Sequence, residues 1–277
     1  MIPELRGINR ASTFTGFCSV HDDSIFAPIE KTQFISTPQQ CFLLGYRALG
    51  REVYMKTAAL SKAGFMRQLD RGASVPEQIA LQGFMTDSID GMSAGLADLS
   101  RHKRKYDDAL ASGRFHTVRA YIVETELAPP IMCSGGFAPE YDFAGRPLQD
   151  LSNLSVPLQF MTVSSFFGGR TGAIVFCWLA DSDAAAVPFV HSLQAVSDEN
   201  LTGALTRLLF EHFENLHLSP TWWEGLAVEV RQKLTDRLSL SGTSFVERNS
   251  NCLMDDGMAF LHWTILSRTL IQQRTGV

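Results

Sequence analysis

The sequence lacks long apolar runs, paired cysteines and a glycine-rich phosphate-binding motif. Its longest apolar run, Ala173 to Ala180, is far shorter than the roughly 20 residues that cross a bilayer. We therefore expect no membrane association, and the N-terminus shows no signal peptide. The five cysteines are scattered and never form a Cys-x-x-Cys pair, which is typical of thiols in a reducing compartment. These absences predict a soluble protein with a cytoplasmic location.

The charge does not indicate nucleic-acid binding. The formal net charge is −5, whereas proteins that coat nucleic acid are usually basic. The main basic cluster, Arg101 to Lys105, precedes Asp107 and Asp108 on one predicted helix. Because charges four residues apart pair along a helix, little of this cluster is left for phosphate. We predict a protein partner or self-association instead, with nucleic acid only at a local patch.

The spacing of apolar residues predicts the first half of the fold. Residues 37–70 and 76–112 carry them at intervals of three and four, which indicates two long helices joined as an antiparallel hairpin. Residues 117–124 alternate and are β-branched, so we predict a strand there. Residues 157–167 and 171–179 predict an antiparallel strand pair, because Gly168-Gly169 can form the turn between them.

The second half is predicted to add two helices and one strand. The helices begin near Ser197 and at Ser219-Pro220, since both sites combine a capping residue with a suitable first turn. The segment 258–265 is apolar and predicts a strand, with helix as the alternative. The fold class is α+β, a long helical hairpin plus two further helices packed on a small antiparallel sheet. We expect an N-terminal arm over residues 1–35 and a single domain over 36–277.

The richest chemistry lies in the arm, between Phe17 and Glu30. Cys18 and His21 are three residues apart, a spacing that can bind one zinc ion from a tight turn. A structural zinc site needs four ligands, so Cys41 or a distant histidine would have to complete it. The alternative is a buried cysteine beside a histidine that only hydrogen-bonds.

The whole arm motif resembles a known pattern. Residues 11–30 end in Phe-Cys-x-x-His-Asp-x-x-Ile-Phe-x-Pro-Ile-Glu, which resembles a widespread uncharacterised bacterial family. The resemblance extends to Glu211-x-x-Glu-Asn215 and to residues 219–224. It implies a bacterial source and no particular activity. Some members carry a cysteine-rich, zinc-binding SEC-C-type segment, for which this chain has no counterpart.

Two enzyme motifs are similar to parts of the arm. Cys18-x-x-His21-Asp22 is loosely similar to the second half of an HNH-type zinc element, and the His21-Asp22 pair is similar to the metal-binding pair of HD-type phosphohydrolases. Both enzyme classes need a histidine upstream of this segment, where it would bind metal or activate water. No histidine precedes His21, so neither motif is complete.

Other acids are candidates with less support. Glu140 and Asp142 lie in a loop that mixes aromatic, acidic and glycine residues, and such loops often carry function. Glu214-x-x-His217 is half of a di-iron carboxylate motif. Because a second copy is missing, we expect Glu211 and Glu214 to lie on a solvated helix face.

Two functional hypotheses follow from these motifs. The first is a non-catalytic intracellular protein in which Cys18, His21 and Asp22 fasten the arm, with or without a divalent metal such as zinc, and an apolar surface binds a partner. The second is a metal-dependent hydrolase or nuclease-like effector in stress or phage defence. In it, His21 and Asp22 hold the metal, and Glu30, Glu140 or Asp142 acts as base. The first is favoured, because no complete catalytic constellation can be assembled.

Overall fold

The computed structural model describes residues 3–7, 16–153, 155–241, 248–258 and 260–271. Its helices are α1 (Ser19–Ile25), α2 (Ala27–Glu30), α3 (Pro38–Met66), α4 (Val75–Ala111), α5 (Asp183–Gln194), α6 (Asp198–His212), α7 (Pro220–Gly225) and α8 (Val228–Ser241). Its strands are β1 (Val118–Thr125), β2 (Ile131–Met132), β3 (Ser134–Phe137), β4 (Met161–Phe167), β5 (Gly172–Leu179), β6 (His217–Leu218) and β7 (Ile265–Ile271).

The central element is a five-stranded antiparallel sheet in the order β3-β4-β5-β1-β7. A second sheet contains only β2 and β6. The predicted pair 157–167 and 171–179 is confirmed as β4 and β5. With helices packed on the sheet, the α+β class is also confirmed.

Helices cover both faces of the five-stranded sheet, as two apolar clusters show. On one face, residues of the α3–α4 hairpin pack with alternate strand residues: Phe42, Tyr46, Tyr106, Ala120, Ile122, Val175 and Cys177. On the other face, residues of α5 and α6 pack with the remaining strand residues: Phe189, Leu205, Leu209, Tyr121, Ile174, Phe176 and Trp178. Every residue of β5 is therefore buried, since neither face of this strand meets water.

The long helical hairpin is also confirmed, and local capping sets its bounds. The Thr37 hydroxyl accepts a hydrogen bond from the Gln40 backbone N–H at 3.2 Å at the start of α3. At the start of α4, the Ser74 backbone N–H donates to the Glu77 carboxylate at 2.9 Å. Gly72, with φ of 86°, turns the chain between the two helices, a conformation that glycine adopts without steric cost.

The second half of the chain departs from the predictions in three places. Helix α5 was not predicted, and it contains Pro188. The helix expected from Ser219 is divided into α7 and α8, because Leu226 takes an extended conformation. The last strand is β7 at Ile265–Ile271, and not 258–265. The side chains of Met258, Phe260 and Trp263 pack against the core cluster, so their apolar character reflects packing and not strand pairing.

Candidate functional site

The N-terminal motif lies on the hairpin. Its first residues, 11–15, are outside the described residues. Phe26 lies between α1 and α2 and is fully buried. Its ring centroid is 5.0 Å from that of Phe17 and 6.3 Å from that of Tyr46 on α3. The apolar residues of the motif thus anchor it to the sheet-bound part of α3.

Asp22 and Glu30, two of the predicted site residues, converge on Arg47 of α3. The guanidinium lies 2.6 Å from Glu30 Oε1 and 3.6 Å from Asp22 Oδ1. It also lies 5.0 Å from the centre of the Phe26 ring, a favourable cation–π arrangement. Because a fixed positive charge stands between the two carboxylates, this arrangement suits fastening of the motif better than binding of a cation.

Cys18 and His21 are exposed and contact each other. Sγ of Cys18 is 3.1 Å from Nδ1 of His21. Cys41, which was considered together with a distant histidine as a further ligand, is buried, and burial raises the pKa of its thiol to about 12. Within the described part of the chain, no group of three or more His, Cys, Asp or Glu side chains is arranged to hold a metal ion. The pair therefore supplies two ligands of the four that structural zinc needs.

Asp142 closes a turn. Its side chain is buried and accepts hydrogen bonds from the backbone N–H groups of Ala144 and Arg146, at 2.8 and 2.9 Å. The Arg146 side chain donates to the same carboxylate at 2.8 Å. A carboxylate held by three donors has a structural task and is a poor general base.

Glu140 belongs to a partly buried ionic network that the sequence did not predict. Arg248 binds Glu140 at 2.6 Å and lies 3.7 Å from Glu211. Arg237 approaches the other oxygen of Glu211, at 3.3 Å. Burial raises the pKa of Glu211, and Arg237 and Arg248 oppose that shift. The expectation of a solvated Glu211 is therefore wrong: this side chain is buried between α6, α8 and the 140 loop.

The network continues through Arg237 of α8. Arg237 binds Asp256 at 2.9 Å, and Asp256 also lies 3.4 Å from Arg207. A cavity of about 340 Å³ opens beside Arg207 and is lined in part by Phe143, Asn200 and Asp255. Its two charged lining residues, Arg207 and Asp255, pair with each other at 3.2 Å. Their charges cancel, so neither is left to bind a charged ligand.

The basic cluster at 101–105 is mostly paired, although only its pair between Lys103 and Asp107 has the predicted spacing of four residues. Arg101 binds Asp98 at 2.8 Å, Lys103 binds Asp107 at 2.6 Å, and Lys105 pairs with Asp181. His102 is buried, and its Nε2 lies 3.0 Å from the Leu158 carbonyl oxygen. Thus this part of α4 faces the protein interior as well as solvent.

The two helices of the hairpin extend beyond the sheet. The buried residues of α3 lie between Gln40 and Gly50, apart from Ala63, and those of α4 lie from Leu99 onward, apart from Met85. We call residues 54–95 the distal hairpin. Its eight exposed large apolar residues are Tyr54, Met55, Phe65, Met66, Leu69, Val75, Ile79 and Phe84. At the tip, Phe65 and Ile79 are 70% and 69% exposed.

The comparisons assign no family. No family model, curated protein or solved structure matches this chain. Functional reasoning therefore rests on the sequence and on the geometry described above. Among the described helices, including the distal hairpin, none is both long enough and apolar enough to cross a membrane.

The distal hairpin was missed as a site because its apolar residues fit the helical spacing of a core. Met85 of α4 follows this spacing and is indeed buried. The sequence feature that could have revealed this surface was the number of apolar residues in the distal helices. Both distal helices carry more of them than one helix–helix contact can cover, so a second apolar face remains.

Proposed function

We propose that this chain is a cytoplasmic bacterial interaction protein and that the distal hairpin is its docking surface. The observation that carries the proposal is the concentration of exposed large apolar residues between Tyr54 and Phe84. Single exposed apolar residues are ordinary on a protein surface, but eight large ones on one projecting element point to a binding surface.

The rest of the fold supports this function by holding the hairpin rigidly. The lower parts of α3 and α4 are packed on the sheet through Phe42, Tyr46 and Tyr106, whose rings contact each other. The N-terminal motif adds Phe26, Asp22 and Glu30 to the same part of α3. A projecting element with a fixed base loses little conformational entropy when it binds, which favours affinity.

The alternative is a metal-dependent hydrolase or nuclease-like effector, for example in defence. It would use the exposed pair Cys18 and His21, together with further ligands from another molecule. Asp22, Glu30 and Asp142 are already held by arginine or backbone donors, so they contribute less to this alternative. Metal analysis and a phosphodiester-hydrolysis assay of the purified protein and of His21→Ala separate the two. Stoichiometric metal and metal-dependent hydrolysis that are both lost in the variant favour the enzyme, whereas metal lost without any hydrolysis favours a fastening role.

Site-specific photo-crosslinking in the producing bacterium tests the docking surface. A photoreactive amino acid replaces Ile79, and in a matched control it replaces Val228, an exposed apolar residue of α8. We expect a specific product from position 79 that mass spectrometry identifies, and we expect Phe65→Asp to abolish it. The proposal fails if positions 79 and 228 give the same products, or if neither gives any.

A further inference from the structure

We infer that the partner of the distal hairpin is a second copy of this chain, with α3 of each copy packed on α4 of the other. The two hairpins then form a four-helix bundle around a two-fold axis. This inference rests on the proposed function and specifies its partner. It is based on three properties of the two exposed helix faces: spacing, size of side chains and charge.

The first property is spacing. Exposed residues of α3 recur at Met55, Ala59, Lys62 and Met66, at intervals of four, three and four. Exposed residues of α4 recur in the same way, at Ala80, Gly83, Asp87 and Asp90. Intervals of three and four place each set in one stripe along its helix, which is the pattern of helices that pack lengthwise against another helix.

The second property is the size of the side chains, which differs between the two stripes. The α3 stripe carries the long side chains of Met55, Lys62 and Met66, whereas the α4 stripe carries shorter ones, with Ala80 and Gly83 the smallest. At Gly83, and at Gly91 next to the stripe, an added Cβ would meet nothing within 4 Å, so nothing in the monomer requires glycine there. Glycine inside a helix costs about 1 kcal/mol relative to alanine. Close approach of another helix, whose large side chains pack against these small residues, explains why glycine stands there.

The third property is charge. On α3 and the turn that follows it, Lys62 and Arg71 are exposed, and on α4 Glu77, Asp87 and Asp90 are exposed. None of these five occurs in an ion pair between described residues, whereas several charges nearer the sheet are paired, as for Arg101 with Asp98. The α3 stripe carries the positive charge of Lys62, with Arg71 in the turn beyond it, and the α4 stripe carries the negative charges of Asp87 and Asp90. This complementarity favours pairing of one copy with another.

The positions of the charges favour hairpins that point in opposite directions. Lys62 lies about one helical turn from the end of α3, whereas Asp87 and Asp90 lie more than three turns from the start of α4. In an antiparallel arrangement, the tip of one hairpin reaches the lower part of the other. Lys62 and Arg71 of each copy then meet Asp87 and Asp90 of its partner, so each complementary contact occurs twice.

Charge exchange tests this inference on the full chain. We expect the parent protein to sediment as a dimer at micromolar concentration. K62E/R71E makes both stripes acidic, and D87K/D90K makes both basic. The dissociation constant of each variant's homodimer should therefore rise about tenfold or more. A mixture of the two should restore a one-to-one heterodimer, because both contacts are attractive again. The matched control, K233E/R170E, carries the same charge change at exposed sites away from the hairpin and should remain dimeric.

A second variant avoids any doubt about folding. Gly83→Leu places its side chain where the monomer has open space, so circular dichroism and thermal unfolding should show an intact fold. The added bulk should nevertheless weaken the dimer about tenfold. A monomeric parent, or charge variants that do not form a heterodimer when mixed, would overturn the inference. In that case, a different protein crosslinked from position 79 would leave the docking function standing, and the absence of any product would remove both.

Discussion

The lower and upper parts of one helical hairpin have opposite surroundings. The lower part of α3, up to Gly50, is almost entirely buried against the sheet. The distal hairpin exposes apolar residues of the same kinds to solvent. The two parts have similar apolar spacing along the chain, so an apolar stripe shows that a helix packs against something but does not show what. In the lower part the partner is the sheet, and in the distal part we propose a second copy.

The largest expected difference between the lower part and the distal hairpin is the stability lost when a phenylalanine is replaced. Phe42 is fully buried, and its ring is 5.1 Å from that of Tyr106 and 5.3 Å from that of Phe115. Phe42→Ala should lower the free energy of unfolding by about 3–5 kcal/mol. Phe65→Ala, in the monomeric K62E/R71E background, should change it by no more than about 0.5 kcal/mol. Urea unfolding of both variants in that background gives the comparison, and equal losses would show that the distal hairpin is part of the core.

Replacing glycine by alanine should change stability in opposite directions in the two parts. A Cβ at Gly45 would lie 2.9 Å from the Tyr106 hydroxyl and 3.1 Å from Cys177 Cβ, so Gly45→Ala should destabilise the protein by about 1–3 kcal/mol. Gly91→Ala meets open space and should stabilise the monomeric background by about 0.5–1 kcal/mol through helix propensity. Thermal unfolding measures both changes. A destabilising Gly91→Ala would mean that the upper helices are already packed against something within one chain.

A smaller effect is expected where the N-terminal motif meets α3. Arg47→Met removes the charge that Asp22 and Glu30 share and should cost about 1 kcal/mol. It should also speed limited proteolysis between residues 16 and 35. Lys31→Met is the matched control, because Lys31 is exposed and pairs with the exposed Asp23. If both variants were cleaved at the same rate as the parent, Arg47 would not fasten the motif.

The smallest difference is a pH dependence of stability near neutral pH, which we expect from the lower part and not from residues 54–95, because that segment contains no histidine. Burial lowers the pKa of His102 below its usual value. Below about pH 6.5 the unfolded chain takes up a proton that folded His102 does not, so stability falls as the pH falls. His102→Gln should reduce this loss when unfolding free energies are compared at about pH 7.5 and pH 5.5. Parallel pH profiles for parent and variant would assign the dependence to other groups, such as His217, whose pKa burial also lowers.

The sequence predicted the elements whose signals are local. The hairpin followed from apolar residues at intervals of three and four, and the β4–β5 pair followed from two strand-like segments joined by glycines. Helix α5 was missed because its twelve residues include Pro188 and three consecutive alanines, a pattern without clear amphipathic spacing. Its apolar residues are there because they pack with strand residues of the five-stranded sheet.

The candidate site was less predictable because its contacts join distant parts of the chain. Asp22 and Glu30 were found from the sequence, but their partner Arg47 was not, since nothing in the spacing connects them. The same holds for Glu140, whose partner Arg248 is more than a hundred residues away. Sequence patterns identify ionisable residues, whereas the fold decides whether they neutralise each other or meet a ligand.

The order of the strands has a consequence for synthesis. β1 lies between β5 and β7, and its register joins Ala120 to Ile271. During translation, the β7 side of β1 therefore stays an open hydrogen-bonding edge until Ile265–Ile271 has left the ribosome. An open edge is where strands of different nascent chains join wrongly. Adding Ile265–Ile271 pairs this side of β1 and makes β7 the edge strand. Because β7 carries Ser267, Arg268 and Thr269, it is a poorer template for other chains than the apolar β1.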